Sequence, residues 1–151
     1  MRHWLVKSEP HEFSIDDLAR VGREPWSGVR NYQARNFMRD GMQVGDPVLF
    51  YHSSCTPAGV VGIAEVATVA YPDPTQFNPE SDYYDPASSP TQPRWLVVDV
   101  AFVRKLGRMI TLDEIKAQAA ALGDLALLRR GNRLSVLPLT AEQYQTILAL
   151  E

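Results

Sequence analysis

Apolar and polar positions alternate in HWLVK (residues 3–7), which predicts a short strand with Trp4 and Val6 on one face and Leu5 on the other. SEP then turns the chain, and the period changes. In SIDDLARV, Ser14 stands three residues before Asp17, so a capped short helix is predicted to carry Ile15 and Leu18 inward. VGDPVLFYH (44–52) reads as a turn and a strand, and GVVGIAEVATVA (59–70) as a β-branched strand. Gly62 within it predicts a bulge or a close backbone approach. RWLVVDVAFVRK (94–105) is the clearest strand, with Leu96, Val98, Val100 and Phe102 on one face. Thr111 and Glu114 form a capping box for a helix to about residue 122, ended by Gly123. RLSVLPL (133–139) is a last strand, and Thr140 with Gln143 caps a C-terminal helix that buries Tyr144, Ile147 and Leu148.

These elements amount to about five strands and four short helices, without the βαβα alternation of a doubly wound sheet. The pattern predicts an α+β fold: a small, curved, mixed sheet or open barrel with helices packed around it. No internal repeat or second domain is visible, so residues 1–151 read as one domain.

Two stretches depart from this patterning. WSGVRNYQARNFMRDG (26–41) opens with a loop tryptophan, turns helical from about residue 31 and stops at Gly41. It sets Arg30, Arg35 and Arg39 among Asn31, Tyr32, Gln33 and Asn36, with few apolar positions to bury. The second stretch, residues 72–93, holds six of the eleven prolines together with Phe77, Tyr83 and Tyr84. A loop this long in a compact domain is usually functional or disordered. Its aromatics favour a binding flap, a lid with Tyr83 or Tyr84 facing Trp26 across a ligand.

Charge sharpens the picture. The net charge of −3 argues against unspecific coating of nucleic acid, yet twelve of the fifteen basic residues are arginines. They gather in 20–39, 104–108 and 129–133, and none lies between Arg39 and Arg94. Arginine suits planar, bidentate recognition of phosphate or carboxylate. No run of about 18 apolar residues spans a membrane, and the N-terminus has no signal-peptide cleavage pattern. A lone cysteine, Cys55, excludes an internal disulfide and suits a reducing cytoplasm. The three histidines are not spaced as metal ligands, HSSC (52–55) is half a zinc site, and a His52–Cys55 nucleophile pair has only proximity behind it. Walker A, GxGxxG and zinc-deaminase patterns are absent, so no cofactor or metal is expected.

Trp26 beside Ser27, Asn31 and Tyr32 has the makings of a stacking site whose neighbours read the edge of a flat heterocycle, as in the recognition of unpaired bases. A packed turn is the alternative.

The segments WLVKSEP, WSGVRNYQARN, VGDPVLFYHS, VGIAEV, YPDPTQFNPESDYYDP, PRWLVVDVAFV and LLRRGNRLSVLPLT together resemble the EVE domain family over nearly the whole chain. The resemblance implies a PUA-like pseudo-barrel related to the YTH readers of methylated RNA, with a pocket for a modified nucleobase such as a modified cytosine. By that similarity Trp26 takes the cage position, followed by Ser27, with a second aromatic from Tyr83 or Tyr84. Lys7, Ser8, Asn31, Tyr32, His52 and Ser53 complete the expected ligand-binding set. Arg30, Arg35, Arg129, Arg130 and Arg133 form the expected phosphate-binding set, with about half of them structural. The function implied is a non-catalytic reader of a modified base in DNA or RNA; the oligomeric state is left open, with a monomer favoured. Two alternatives remain open: an ASCH-like amidohydrolase working through Lys7 and Glu9, and an adaptor binding a small heterocycle.

Overall fold

The computed structural model describes residues 1–151. Its elements run β1 (His3–Ser8), α1 (Ile15–Val21), β2 (Arg23–Pro25), α2 (Tyr32–Asn36), β3 (Pro47–His52), β4 (Gly59–Val66), β5 (Tyr71–Pro72), β6 (Leu96–Val97), β7 (Asp99–Thr111), α3 (Leu112–Ala117), α4 (Ala119–Leu122), β8 (Val136–Leu139) and α5 (Ala141–Leu148). Six strands form one curled mixed sheet in the order β2-β7-β4-β3-β1-β8, and β5 pairs with β6 in a separate two-stranded ribbon. Only β1 and β3 are parallel, in the register Trp4–Val48 to Ser8–His52. The expected α+β curved sheet is therefore present, with more strands than the five anticipated.

Both faces of the sheet are covered, which is why its central strands are almost continuously apolar. Trp4, Val6, Phe50, Val100 and Val136 pack on one side with Ile15 and Leu18 of α1. Leu5, Leu49, Val60, Ile110 and Leu137 pack on the other with Ile115 of α3 and Ile147 of α5. Burying a side chain such as Leu18 contributes about 1.5–3 kcal/mol, and it is wholly buried. All three capping boxes form as read: Ser14 with Asp17, Thr111 with Glu114, and Thr140 with Gln143. Gly62 sits beside a bulge, at the skipped Val61, and at a close approach. The ladder slips between Phe50 and Tyr51 beside it, and a Cβ there would sit 2.4 Å from the Ile15 side chain.

Four elements differ from expectation. The strand expected over 94–105 is divided: Leu96–Val97 belongs to the small ribbon, whereas Asp99–Thr111 joins the large sheet and runs six residues further. Val97 and Val98 are both fully buried, so alternation fails where the chain changes sheets. The three-residue edge strand β2, paired to β7 through Glu24 and Val100, is too short to carry a period. The helix expected to residue 122 is interrupted at Gln118. Beyond α2 the chain widens into a π-helical turn, Phe37–Gly41, which buries Met38.

Candidate functional site

The chain ends of the parallel pair generate a cleft. Beyond Ser8 and His52 the strands part, joined last by the Ser53 N–H donating to the Ser8 carbonyl at 2.9 Å. On one side the Lys7 N–H is held by the Ser135 carbonyl at 2.9 Å; on another, β2 leads into the Trp26 loop. The resulting space is about 660 Å³, within the range of small-ligand pockets. Trp26 and Tyr83 contribute aromatic walls, and Ser8, Ser27, Asn31, Ser53 and Ser135 contribute polar groups.

Trp26 is a half-core residue. Its ring meets Phe50 edge-on at 5.6 Å and 85°, its backbone N–H donates to Val98, and only 8% of its surface is exposed. Its burial matches the packed-turn alternative, and the residue also lines the cleft. Tyr83 is 41% exposed and lies over Gly28, where any Cβ would fall 2.6 Å from the ring. Gly28 also has φ +80°, so two independent constraints hold that position to glycine.

Asp73 anchors this wall. Its fully buried carboxylate accepts from the Gly28 N–H at 3.0 Å, the Thr75 N–H and hydroxyl at 2.9 and 2.6 Å, and Arg30 at 3.2 Å. Burial pushes its pKa up, but the hydrogen bonds from Thr75, Gly28 and Arg30 outweigh this and hold it below the ordinary carboxylate value. Arg30 uses its remaining donors on the Val29 and Tyr83 carbonyls and the Thr75 hydroxyl. Its guanidinium lies 5.1 Å from the Trp95 ring centre and 5.6 Å from that of Tyr83.

The proline-rich segment is accordingly a fixed wall and not a free flap. Gln76, fully buried, donates to the carbonyls of Asp73 and Trp95 and accepts from the Trp95 N–H and the Ser88 hydroxyl. Trp95, itself buried, donates to Asp85 at 2.8 Å. Tyr83 faces the cleft with Trp26, whereas Tyr84 is not among the lining residues.

Several expected site residues are placed elsewhere. Tyr32 stacks on Trp95 at 4.7 Å and 16°, outside the cleft, with Arg35 over its other side. His52 turns away and accepts from the Ile15 N–H at 3.1 Å, capping α1, and burial lowers its pKa. Cys55 donates to the Pro57 carbonyl, so the two do not form a nucleophile–base pair. Arg30 has every N–H engaged and has none left for a phosphate. Arg35 is tied to Asn36 and the Arg94 carbonyl, and Arg129 is forked onto Asp124 at 2.9 Å, away from the cleft. Arg130 and Arg133 are exposed and make no side-chain hydrogen bond or ion pair, and Arg133 lines the cleft. Asn31 spends its side-chain oxygen capping α2 through Ala34 but keeps its amide N–H groups at the cleft.

Lys7 projects into the cleft half-buried and without an ion partner; burial lowers its pKa. Glu9, its expected companion, makes no ion pair with it and lies 3.3 Å from the His11 imidazole. Sequence reading missed Phe13 and Glu24, which lie in a loop and a short edge strand without a pattern, and Leu134 and Ser135, which were expected within the last strand but precede it, since β8 begins at Val136. It also missed Asp73, although an aspartate two residues before Thr75 with proline between is a turn signal.

Fold and cleft together define an α+β domain with an aromatic-walled, polar pocket at the diverging ends of two parallel strands. The chain belongs to the EVE domain family, whose family model matches residues 2–150. It is 42% identical to human thymocyte nuclear protein 1 over 167 residues, covering 99% of this chain and 73% of that protein. Among solved structures, a Pseudomonas putida protein is 51% identical with a TM-score of 0.94, covering 98% of each chain. Human THYN1 in complex with 5-methylcytosine-containing DNA is 41% identical with a TM-score of 0.93, covering 99% of this chain and 97% of that one. An ASCH protein from Zymomonas mobilis covers 99% of both chains at 13% identity and a TM-score of 0.55, which is a likeness of fold alone.

Proposed function

We propose that this protein is a non-catalytic reader of DNA that takes 5-methylcytosine, or a similarly modified cytosine, into the Trp26–Tyr83 cleft. The observation that carries the reading is the match, nearly end to end, to a human protein crystallised with 5-methylcytosine-containing DNA. The cleft supports it independently. An extruded base requires flat apolar walls, edge-reading polar groups and nearby positive charge for the flanking phosphates. Trp26 and Tyr83 supply the first, Ser27, Asn31 and Lys7 the second, and Arg133 with neighbouring Arg130 the third. Ser8 and Ser53 line the same space.

The amidohydrolase alternative has less support, because the ASCH likeness extends to the fold only. No helix is long and apolar enough to cross a membrane, and the lone cysteine fits a reducing compartment such as the cytoplasm. We take the acting form to be a monomer. Fluorescence anisotropy with matched duplexes, methylated and unmethylated, at fixed salt tests the reading. Preferential binding of the methylated duplex is expected; equal affinity for both at every salt concentration refutes it.

A further inference from the structure

We propose that Glu24 and Lys7 together read the pairing edge of the bound base, Glu24 accepting from the 4-amino group of cytosine and Lys7 donating to its O2. This deepens the reader assignment and rests on it. Five charged residues line the cleft besides the fully committed Arg30. Glu9 lies 3.3 Å from the His11 imidazole, and Glu12 and Arg133 are exposed. Lys7 and Glu24 remain: each is half-buried, and the side chain of neither has a hydrogen-bond or ion partner within the protein. Burial, followed by the nearby Asp99 carboxylate, raises the pKa of Glu24, and burial lowers that of Lys7. Desolvating a charge without a partner is costly, and a ligand with complementary donors and acceptors relieves that cost on both sides.

The base chemistry makes this pair informative. 5-Methylcytosine and thymine share the methyl group and O2, so aromatic walls and contacts to the methyl group cannot separate them. They differ at position 4, where cytosine presents an amine and thymine a carbonyl, and at N3. A carboxylate accepts from the cytosine amine and opposes the thymine carbonyl with a second acceptor. Lys7, directed to the shared O2, contributes affinity without choosing between them. Glu24 is held for this role by β2, whose backbone is laddered to β7 immediately before Trp26. The edge reader in β2 and the aromatic wall in the loop that follows it are thus two residues apart.

The test uses the full chain and duplexes carrying one 5-methylcytosine, cytosine or thymine, each opposite an abasic site so that extrusion breaks no base pair. The wild-type protein should bind the 5-methylcytosine strand more tightly than the thymine strand by roughly 5- to 150-fold, the range of a good base contact. Glu24→Gln, whose amide can donate to the thymine carbonyl, should bring that ratio near unity. Glu24→Ala, which removes the acceptor and adds no donor, should lower the ratio through weaker 5-methylcytosine binding. Lys7→Met should weaken both strands by a similar factor, about tenfold or more. An unchanged ratio in both Glu24 variants, or a ratio that moves with Lys7 instead, overturns the assignment while methyl preference in the wild type preserves the reader function. Loss of all preference in the wild type overturns both.

Discussion

The buried carboxylate of Asp73 should be the residue on which the cleft wall stands, and removing it gives a measurable loss. In Asp73→Ala the Arg30 side chain, 23% exposed, is left beside Tyr83 without its counter-ion. Breaking a buried pair from one side costs about 3–5 kcal/mol; the partial exposure of Arg30 places this one at the lower end. The N–H groups of Gly28 and Thr75 lose their acceptor as well, at about 1 kcal/mol or more for each left unsatisfied. The total is about 5 kcal/mol, which for a domain of this length lowers Tm by roughly 10–20 °C. Far-UV circular dichroism through a thermal ramp, with urea unfolding as a second measure, reads the loss. Arg30→Ala in the same background should rescue part of it, by about 1–3 kcal/mol, because no unpaired cation then remains. The low pKa of Asp73 also sets an acid limit. Its stabilisation is present above the unfolded carboxylate value of about 3.9 and is lost as pH falls through the lower folded value. A Tm drop below about 2 °C, equivalent to ~1 kcal/mol or less, together with no rescue by Arg30→Ala, would show that the wall is held by other contacts.

Three further outcomes follow from the same geometry. Trp26→Leu keeps an apolar contact for Phe50 but removes the stacking face, so affinity for methylated DNA should fall by about 1–3 kcal/mol while the chain stays folded; unchanged affinity places the base elsewhere. Arg133→Ala should weaken methylated and unmethylated strands alike and flatten the salt slope by about one unit, whereas Arg129→Ala, whose guanidinium is held by Asp124, should leave that slope alone. His52 has a lowered pKa, so the unfolded chain takes up its proton first as pH falls. Its contribution is complete above about 6.5 and declines below it, and His52→Gln should remove that part of the pH dependence of Tm without altering DNA affinity.

Local signals determined much of this protein. The three capping boxes, the opposed faces of HWLVK, and the demand for a bulge or close approach at Gly62 depend on residues a few positions apart, and all are present in the fold. Of the ligand-binding set drawn from the family resemblance, Lys7, Ser8, Trp26, Ser27, Asn31, Ser53 and Tyr83 line one cleft, whereas Tyr32, His52 and Tyr84 do not. Tertiary structure alone decided which polar side chains were already spent. Arg30 and Arg133 look alike in sequence, yet one is consumed by Asp73, Thr75 and two carbonyls while the other stands exposed at the cleft. Tyr83 and Tyr84 are neighbours, and only one faces the site. His52 has the composition of a site residue but serves as a helix cap. The division of the strand after Arg94 likewise depends on which sheet each half can join. Hydrogen-bond capacity is finite and is allocated by contacts 30 to 50 residues apart along the chain, so residue type reveals what a side chain can bind and the folded neighbourhood decides whether it is free to do so.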